Sequence, residues 1–199
     1  MNCLEDIFVT RRSIYNLGNK ILLKQTELEN LIKQALKDVP SAFNSQSSRI
    51  VLLLNQNHIK LWNDITLNTL KAIVDEDKFE HTQKRISSFA DAYGTVLFFE
   101  DLNTIENMKN KFPEYADNFI MWANQSSAML QYMVWTLFAQ NEIGANLQHY
   151  NPLIDDEVKK TFAINPNWQL IAQMPFGNIL KPADTKSYLD INDRFLVYK

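Results

Sequence analysis

The chain has 199 residues, 46% of them hydrophobic, which suits one compact domain with a substantial core or one subunit of an intimate oligomer. Its 20 basic and 23 acidic residues give a net charge of −3, and the basic residues are scattered, which argues against nucleic acid or an anionic membrane as a partner. The one cysteine, Cys3, excludes an internal disulfide, and Met1 to Thr10 lacks a signal-peptide pattern, so a cytoplasmic protein is expected.

The first predicted element is a short helix over Asn2 to Thr10, and a segment from Arg11 to Tyr15 follows it. If this segment is extended, Arg11, Ser13 and Tyr15 share one side. A guanidinium fork, a hydroxyl and an aromatic ring together suit a phosphate that is attached to a flat group. On spacing alone, an arginine doublet that is solvated or paired on the surface explains the pattern as well, so both interpretations stay open.

A helix that begins near Thr26 is predicted to end at Pro40, and a polar segment from Ser41 to Arg49 follows. The apolar run Ile50 to Leu54 after it predicts a strand. The amides of the polar segment offer donors and acceptors for the edge of a heterocycle. An ordinary loop whose side chains cap its own backbone explains the same composition.

The middle of the chain predicts helices on both sides of one strand. Asn57 to Val74 has the periodicity of an amphipathic helix, and a second helix is predicted around Gln83 to Ala92. Thr95 to Phe99 predicts a strand. Glu100 and Asp101 are expected to begin the next helix, because two acidic residues match the positive end of a helix dipole.

A long helix from Asn118 to Asn141 is predicted to form the centre of the core. Between Asp117 and Glu142 there is no charged residue, and apolar side chains occur on every side, a pattern typical of a buried helix. Its polar residues exclude a membrane span. Gly144 is expected to stop the helix.

The C-terminal part predicts a short helix that starts at Asp155 and a strand from Trp168 to Met174, ended by Pro175. The tail from Phe195 to Tyr198 is apolar enough to be a strand that needs a sheet to join.

The sequence shows no nucleophile triad, zinc-ligand spacing or glycine-rich phosphate loop. His58 and His81 fall on predicted helical positions that face solvent. His149 suits either a proton donor beside a cofactor or a hydrogen-bonded wall residue. If the protein is an enzyme, a cofactor is therefore expected to supply the chemistry.

Four blocks that span nearly the whole chain carry a specific pattern, namely Arg11 to Tyr15, Pro40 to Gln46, Tyr93 to Asp101 and Gly144 to Pro152. Together they resemble the nitroreductase family, and most closely its short branch of fatty-acid-repression-mutant and copper-induced nitroreductases. The resemblance implies an α+β fold in which helices wrap an antiparallel sheet. It also implies a homodimer with two shared FMN sites at its interface and a C-terminal strand that crosses to the partner.

The resemblance further implies three sets of FMN contacts. Arg11, Arg12, Ser13 and Lys186 would contact the phosphate and the ribityl chain. Ser41, Asn44 and Gln46 would contact the flavin of the other subunit. Gln148, His149 and Tyr150 would contact the isoalloxazine ring, with a backbone amide near N5. Two positions depart from the family pattern. Tyr15 stands where many relatives have a lysine near the flavin pyrimidine, and Tyr188 stands where some have a second basic phosphate ligand.

The interpretation that follows is one FMN-binding domain over residues 1–199, without a metal site. It would act as an FMN-dependent NAD(P)H oxidoreductase that passes two electrons, by ping-pong hydride transfer from NADH or NADPH, to nitroaromatic or quinone-like acceptors. A flavin-binding regulatory or stress-response protein with incidental reductase activity is the alternative. A cofactor-free helical interaction module is a second alternative.

Overall fold

The computed structural model describes the backbone from Leu4 and complete residues from Glu5 to Lys199. Asn2 and Cys3, with which the first predicted helix was expected to begin, lie outside the described residues. The α-helices are α1 (Leu4–Thr10), α2 (Gln25–Asp38), α3 (Asn55–Ile59), α4 (Leu67–Lys71), α5 (Glu76–Ala90), α6 (Leu102–Lys111), α7 (Phe119–Gln140) and α8 (Asp155–Thr161). The strands are β1 (Leu17–Gly18), β2 (Ser48–Leu54), β3 (Gly94–Asp101), β4 (Ile143–Ala145) and β5 (Trp168–Ile179). Short 3₁₀ turns span Ala42–Asn44, Pro113–Asn118 and Ile191–Asp193, and a π-helical stretch, Lys60–Thr66, joins α3 to α4.

The strands form one antiparallel sheet in the order β1-β5-β3-β2, and β4 also pairs with β5. The central strand β3 is buried on both faces. Val96 and Phe98 pack with residues of α2 and α7, whereas Leu97 and Phe99 pack on the opposite side with Trp62 of the π-helical stretch. The predicted α+β class, with helices against both faces of an antiparallel sheet, is confirmed.

The strand β5 is longer than the sequence predicts. It continues through Pro175, which pairs with Thr95, and reaches Ile179. Proline lacks an N–H donor, but the carbonyl oxygen of Pro175 still accepts a hydrogen bond of 3.3 Å from the backbone N–H of Asn146, the residue after β4. The prediction that Pro175 ends the strand is therefore wrong.

The strands β1 and β5 approach each other more closely than side chains allow. A Cβ atom placed on Gly177 would lie 1.9 Å from the carbonyl oxygen of Gly18. Leu17 pairs with Ile179 and Gly18 pairs with Asn178. This pairing requires glycine at position 177, because any larger residue there would collide with the Gly18 carbonyl.

The predicted central helix is confirmed as α7, whose Leu130, Val134 and Phe138 are fully buried against the sheet. The expectation that it is buried on every side is wrong for a single chain. About half of the surface of four large side chains stays exposed, those of Ile120, Met121, Met129 and Tyr132. No helix among the described residues is long and apolar enough to cross a membrane.

The end of α7 does not depend on Gly144. The helix stops at Gln140, and Glu142 takes the left-handed conformation with a φ of 59°. Gly144 instead lies in β4, where an added Cβ would come within 2.8 Å of Ile179 and 2.9 Å of Leu17. It is required for close packing rather than for a helix cap.

His58 is buried, contrary to the expectation that it faces solvent, with a relative exposure of 2%. Its Nε2 lies 3.2 Å from the carbonyl oxygen of Ala90, so this nitrogen carries the proton. Its Nδ1 lies 2.9 Å from the Thr95 hydroxyl, which also accepts a hydrogen bond from the indole N–H of Trp62. Thr95 therefore donates to Nδ1. Burial lowers the pKa of His58 to about 4, which keeps the ring neutral near pH 7.

Glu100 and Asp101 have separate roles, so the prediction that both begin a helix is wrong for Glu100. Glu100 belongs to β3, is buried and accepts a hydrogen bond of 2.6 Å from the Ser48 hydroxyl. Burial raises the pKa of its carboxyl group. Asp101 caps α6, because its Oδ1 accepts from the backbone N–H of Asn103 at 3.1 Å.

The tail forms no strand within one chain. Residues 180–199, all of which are described, contain one 3₁₀ turn and no strand. The apolar side chains from Phe195 to Tyr198 are exposed, and Tyr198 reaches a relative exposure of 90%.

Candidate cofactor site

The segment from Arg11 to Tyr15 lies beside β4. Ser13 forms a parallel bridge with Ala145, and the backbone N–H of Ile14 donates to the carbonyl oxygen of Ala145 at 2.9 Å. Ile14 is buried, whereas Tyr15 is more than half exposed. The segment is thus extended at Ser13, which meets the condition under which Arg11, Ser13 and Tyr15 were expected to share one side, and Ile14 anchors it.

A cavity of about 1520 Å³ opens beside this segment. Five of the residues predicted to contact a cofactor line it, namely Arg11, Arg12, Ser13, Tyr15 and Lys186. Its charged lining is mostly basic, with five cationic side chains against two acidic ones: Arg11, Arg12, Lys20, Lys181 and Lys186, with Asp91 and Asp184. An excess of positive charge around a concave site favours an anionic ligand.

Arg11 and Arg12 are held differently. The guanidinium Cζ of Arg11 lies 4.4 Å from the ring centroid of Trp135 and 5.7 Å from that of Tyr132. The Nε of Arg11 is buried and has no hydrogen-bond partner among the described residues. Arg12 donates from Nη2 to the carbonyl oxygen of Asp184 at 2.7 Å, which ties the tail to this segment. The orphaned donor of Arg11, in a lining rich in positive charge, fits a phosphate group.

A buried polar chain connects this segment to the Gly144 block. The side-chain amide of Asn146 donates to the carbonyl oxygen of Ile14 at 2.8 Å, and the amide of Gln148 donates to Asn146 Oδ1 at 2.7 Å. The backbone of Gln148 pairs with that of Gln173 in both directions, at 2.7 and 2.9 Å. Two distant blocks of the sequence are thus one rigid unit.

Sequence reasoning missed Asn146 and Gln173 as site residues. The Oε1 of Gln173 accepts from the backbone N–H of Tyr150 at 2.8 Å, and its Nε2 donates to Asn151 Oδ1 at 3.2 Å. The position of Gln173 inside an otherwise mostly apolar predicted strand is the signal that could have identified it, since a buried amide needs hydrogen-bond partners.

Gln148, His149 and Tyr150 do not line the cavity beside Arg11. The ring of Tyr150 packs edge-on against Trp62, with centroids 5.8 Å apart, while His149 is exposed. The backbone N–H groups of Gln148 and Tyr150 are both hydrogen-bonded. That of His149 has no partner among the described residues, so it is the free donor of the three.

The loop from Ser41 to Gln46 also stands apart from the cavity in a single chain. The Ser41 hydroxyl accepts a hydrogen bond of 2.9 Å from the backbone N–H of Gln46, and the side chains of Asn44 and Gln46 are exposed. Within a single chain, the predicted contacts from Ser41, Asn44 and Gln46 therefore do not belong to the same cavity as those from Arg11 and its neighbours.

The antiparallel sheet between two helical layers defines an α+β protein, and the mostly basic charged lining of the cavity at the edge of the sheet favours an anionic ligand. The chain belongs to the nitroreductase family, an oxidoreductase family whose model matches residues 9–178. This confirms the resemblance found in the sequence.

Similar proteins span nearly the whole chain. HBN1 of Saccharomyces cerevisiae is 34% identical over 182 residues, which cover 90% of this chain and 89% of that protein. The nitroreductase CinD of Lactococcus lactis, solved with 4-nitrophenol, is 38% identical with a TM-score of 0.90, covering 99% of this chain and 100% of CinD. A Desulfitobacterium hafniense nitroreductase with bound FMN is 16% identical with a TM-score of 0.71 and full coverage of both chains, which shows a shared fold.

Proposed function

We propose that residues 1–199 form one FMN-binding domain, and that a homodimer of it is an FMN-dependent NAD(P)H oxidoreductase for small flat aromatic acceptors. The observation that carries this proposal is the unpaired Nε of Arg11 beside a cavity whose charged lining residues are mostly basic. When bound, FMN supplies the hydride-transfer chemistry, with two electrons taken from NADH or NADPH and given to a nitroaromatic or quinone-like acceptor.

The phosphate and ribityl contacts are proposed for Arg11, Arg12, Ser13 and Lys186. All four line the cavity. The side-chain Nε of Arg11 has no hydrogen-bond partner among the described residues, whereas the Arg12 side chain already donates to Asp184. Arg11 therefore has more donors free for a phosphate, and a charge-assisted bidentate contact is the strongest that such a group can form.

The isoalloxazine contacts are proposed for the segment from Gln148 to Tyr150. Because the backbone N–H groups of Gln148 and Tyr150 are taken, the free N–H of His149 is the donor for the ring edge. The buried chain through Asn146 supports this assignment, since it holds the segment in fixed relation to the phosphate contacts.

A second copy of the chain is proposed to complete the site. The exposed apolar side of α7 and the apolar tail from Phe195 to Tyr198 are surfaces that need cover. A dimer in which each tail joins the partner's sheet would bury both surfaces. It would also bring Ser41, Asn44 and Gln46 to the cofactor of the other subunit, where a single chain leaves them remote.

The acceptor class is proposed from the relatives. CinD has been solved with 4-nitrophenol, chloramphenicol and nicotinic acid, all of which contain a flat ring, and it is 38–40% identical to this chain. Flat acceptors suit a cofactor that is itself planar, because the two rings can stack.

The visible spectrum of the purified protein and the identity of the released cofactor test the proposal. We expect a yellow protein that releases FMN and whose absorbance near 450 nm, roughly where oxidised flavins absorb, bleaches within seconds of anaerobic mixing with NADH or NADPH. A colourless protein that does not bind added FMN would refute the proposal and favour the interaction module. A yellow protein that both nucleotides bleach only slowly would favour the regulatory alternative.

A further inference from the structure

The loop from Ser41 to Gln46 has an unusual backbone. Phe43, Asn44 and Gln46 have φ values of 53°, 52° and 52°, and none of them is glycine. Non-glycine residues keep left-handed conformations only where the surrounding structure holds them, and such residues concentrate at ligand-binding segments. The loop therefore needs a fixed support.

Phe43 packs against Phe112, with ring centroids 4.5 Å apart, whereas Arg49 supplies the support at Gln46. Its Nη1 donates to the carbonyl oxygen of Gln46 at 2.7 Å, and its Nη2 donates to Asp101 Oδ2 at 2.8 Å and to the Thr104 hydroxyl at 3.3 Å. The N–H of Gln46 donates to Ser41 Oγ, so both backbone groups of Gln46 are fixed. One planar guanidinium thus joins the loop to the end of β3 and the first turn of α6.

The anchor on the other side of Arg49 is itself rigid. Asp101 caps α6 through Asn103, and its backbone N–H donates to the carbonyl oxygen of Ser47 at 2.9 Å. The relative solvent exposure of the side chain is 29% for Arg49 and 14% for Asp101, so water screens this ion pair less than the exposed ion pairs of the chain.

We propose that Arg49 is a positioning residue for the cofactor. It holds Gln46, and with it Asn44, in the conformation that contacts FMN in the partner subunit, and it acts on the cofactor only through this loop. This inference rests on the proposed function. Neither Arg49 nor Asp101 lines the cavity beside Arg11, so direct contact with the phosphate there is not the basis of the effect.

The test is a double-mutant cycle on FMN affinity, measured by flavin fluorescence titration. Arg49→Met in the wild-type background should raise the Kd about tenfold, within the range of coupling between contacting groups. In an Asn44→Ala/Gln46→Ala background, the loop has no amide side chain left to present. Arg49→Met should therefore change the Kd by less than about twofold there.

Two further variants control the experiment. Arg49→Lys keeps the charge but cannot bridge Gln46 and Asp101 with one planar fork, so an intermediate Kd is expected, and this variant replaces Arg49→Met if the latter does not fold. Lys33→Met removes an exposed cation paired with Glu29 on α2 and should leave the Kd unchanged.

The outcomes separate the inference from the function beneath it. A wild-type protein that binds no FMN refutes the proposed function, and the inference with it. A wild-type protein that binds FMN, with an unchanged Kd in Arg49→Met and Arg49→Lys, refutes the inference alone. Equal losses of affinity in both backgrounds refute it as well, because they show a general loss of stability rather than an effect through the loop.

Discussion

The side-chain amide of Asn146 donates a hydrogen bond of 2.8 Å to the main-chain carbonyl of Ile14, a residue 132 positions earlier in the chain. Both the amide and the carbonyl are buried. This bond makes the segment that carries Arg11 and Ser13 part of the same rigid body as the segment that ends at Tyr150.

Replacing Asn146 by leucine is expected to destabilise the protein by about 2–4 kcal/mol, because Ile14 and Gln148 would each keep a buried polar group without a partner. Urea unfolding measures the loss. Asn68→Leu is the matched control, since among the described residues the Asn68 amide donates to the carbonyl oxygen of Asp64 at an exposed site, and a change within about 0.5 kcal/mol is expected there. Similar losses in the two variants would contradict the role of the buried chain.

Arg11 is expected to matter more than Arg12 for cofactor retention. Arg11→Ala should weaken FMN binding at least about tenfold, because two charge-assisted bonds of roughly 1.5–3 kcal/mol each are lost. Arg11→Lys should restore only part of the affinity, since an ammonium lacks the planar fork. Arg12→Ala is the comparison and should cost less, because Arg12 already donates to Asp184. Fluorescence titration gives the Kd values, and equal Kd values for wild type and Arg11→Ala would refute the assignment.

His58 is expected to make the protein less stable in mild acid. Its pKa is lowered from 6.5 to about 4 in the folded protein. Between these pH values the unfolded chain therefore binds a proton at His58 that the folded protein does not bind. Stability is therefore complete above about pH 6.5 and falls as the pH drops towards 4, by roughly 3 kcal/mol at most. Urea unfolding between these pH values should show a shallower pH dependence for His58→Gln, which can bond similarly but cannot be protonated. Identical slopes would contradict the prediction.

Deleting the residues after Leu180 is expected to cause the loss of dimer and flavin together. The deletion removes Lys186 from the cavity and the apolar tail from the proposed partner sheet. Light scattering after gel filtration reports the dimer, and the visible spectrum reports the flavin. A truncated protein that stays dimeric and yellow would show that the tail serves neither.

Ping-pong kinetics are expected, because both flat substrates would stack in one place and must bind in turn. Double-reciprocal plots at several fixed acceptor concentrations should then be parallel. His149→Gln should shift acceptor preference but leave bleaching by NAD(P)H largely intact, since the backbone N–H of residue 149 is retained. Intersecting lines, or bleaching slowed by about 10² or more as expected for loss of an acid or base, would overturn this mechanism.

The long elements were predictable from sequence because periodicity accumulates over many residues. Thus α7 and β3 lie where apolar patterning places them. The strands β1 and β4 have two and three residues, too few for any periodic signal. The burial of His58 was not predictable, since its partners Thr95 and Ala90 come from other elements that only the tertiary fold brings near.

Part of the candidate site was predictable for a similar reason. The blocks that contain Arg11 and Gln148 carry recognisable residues. The link between them depends on the Asn146 amide and the Ile14 carbonyl, and a backbone carbonyl occurs at every position, so no residue pattern marks it. Arg49 was missed likewise, because its support of Gln46 ends on a main-chain oxygen.

The contact of β1 with β5 at Gly177 limits how the cavity can vary. Leu17 and Gly18 line the cavity, and Gly18 rests directly on Gly177. An alanine at position 177 would push β1 outwards, together with the preceding segment that carries Ser13. The spacing between the sheet and the segment that carries Arg11 and Ser13 is thus set by the absence of a methyl group at position 177, a residue that itself lines no part of the cavity.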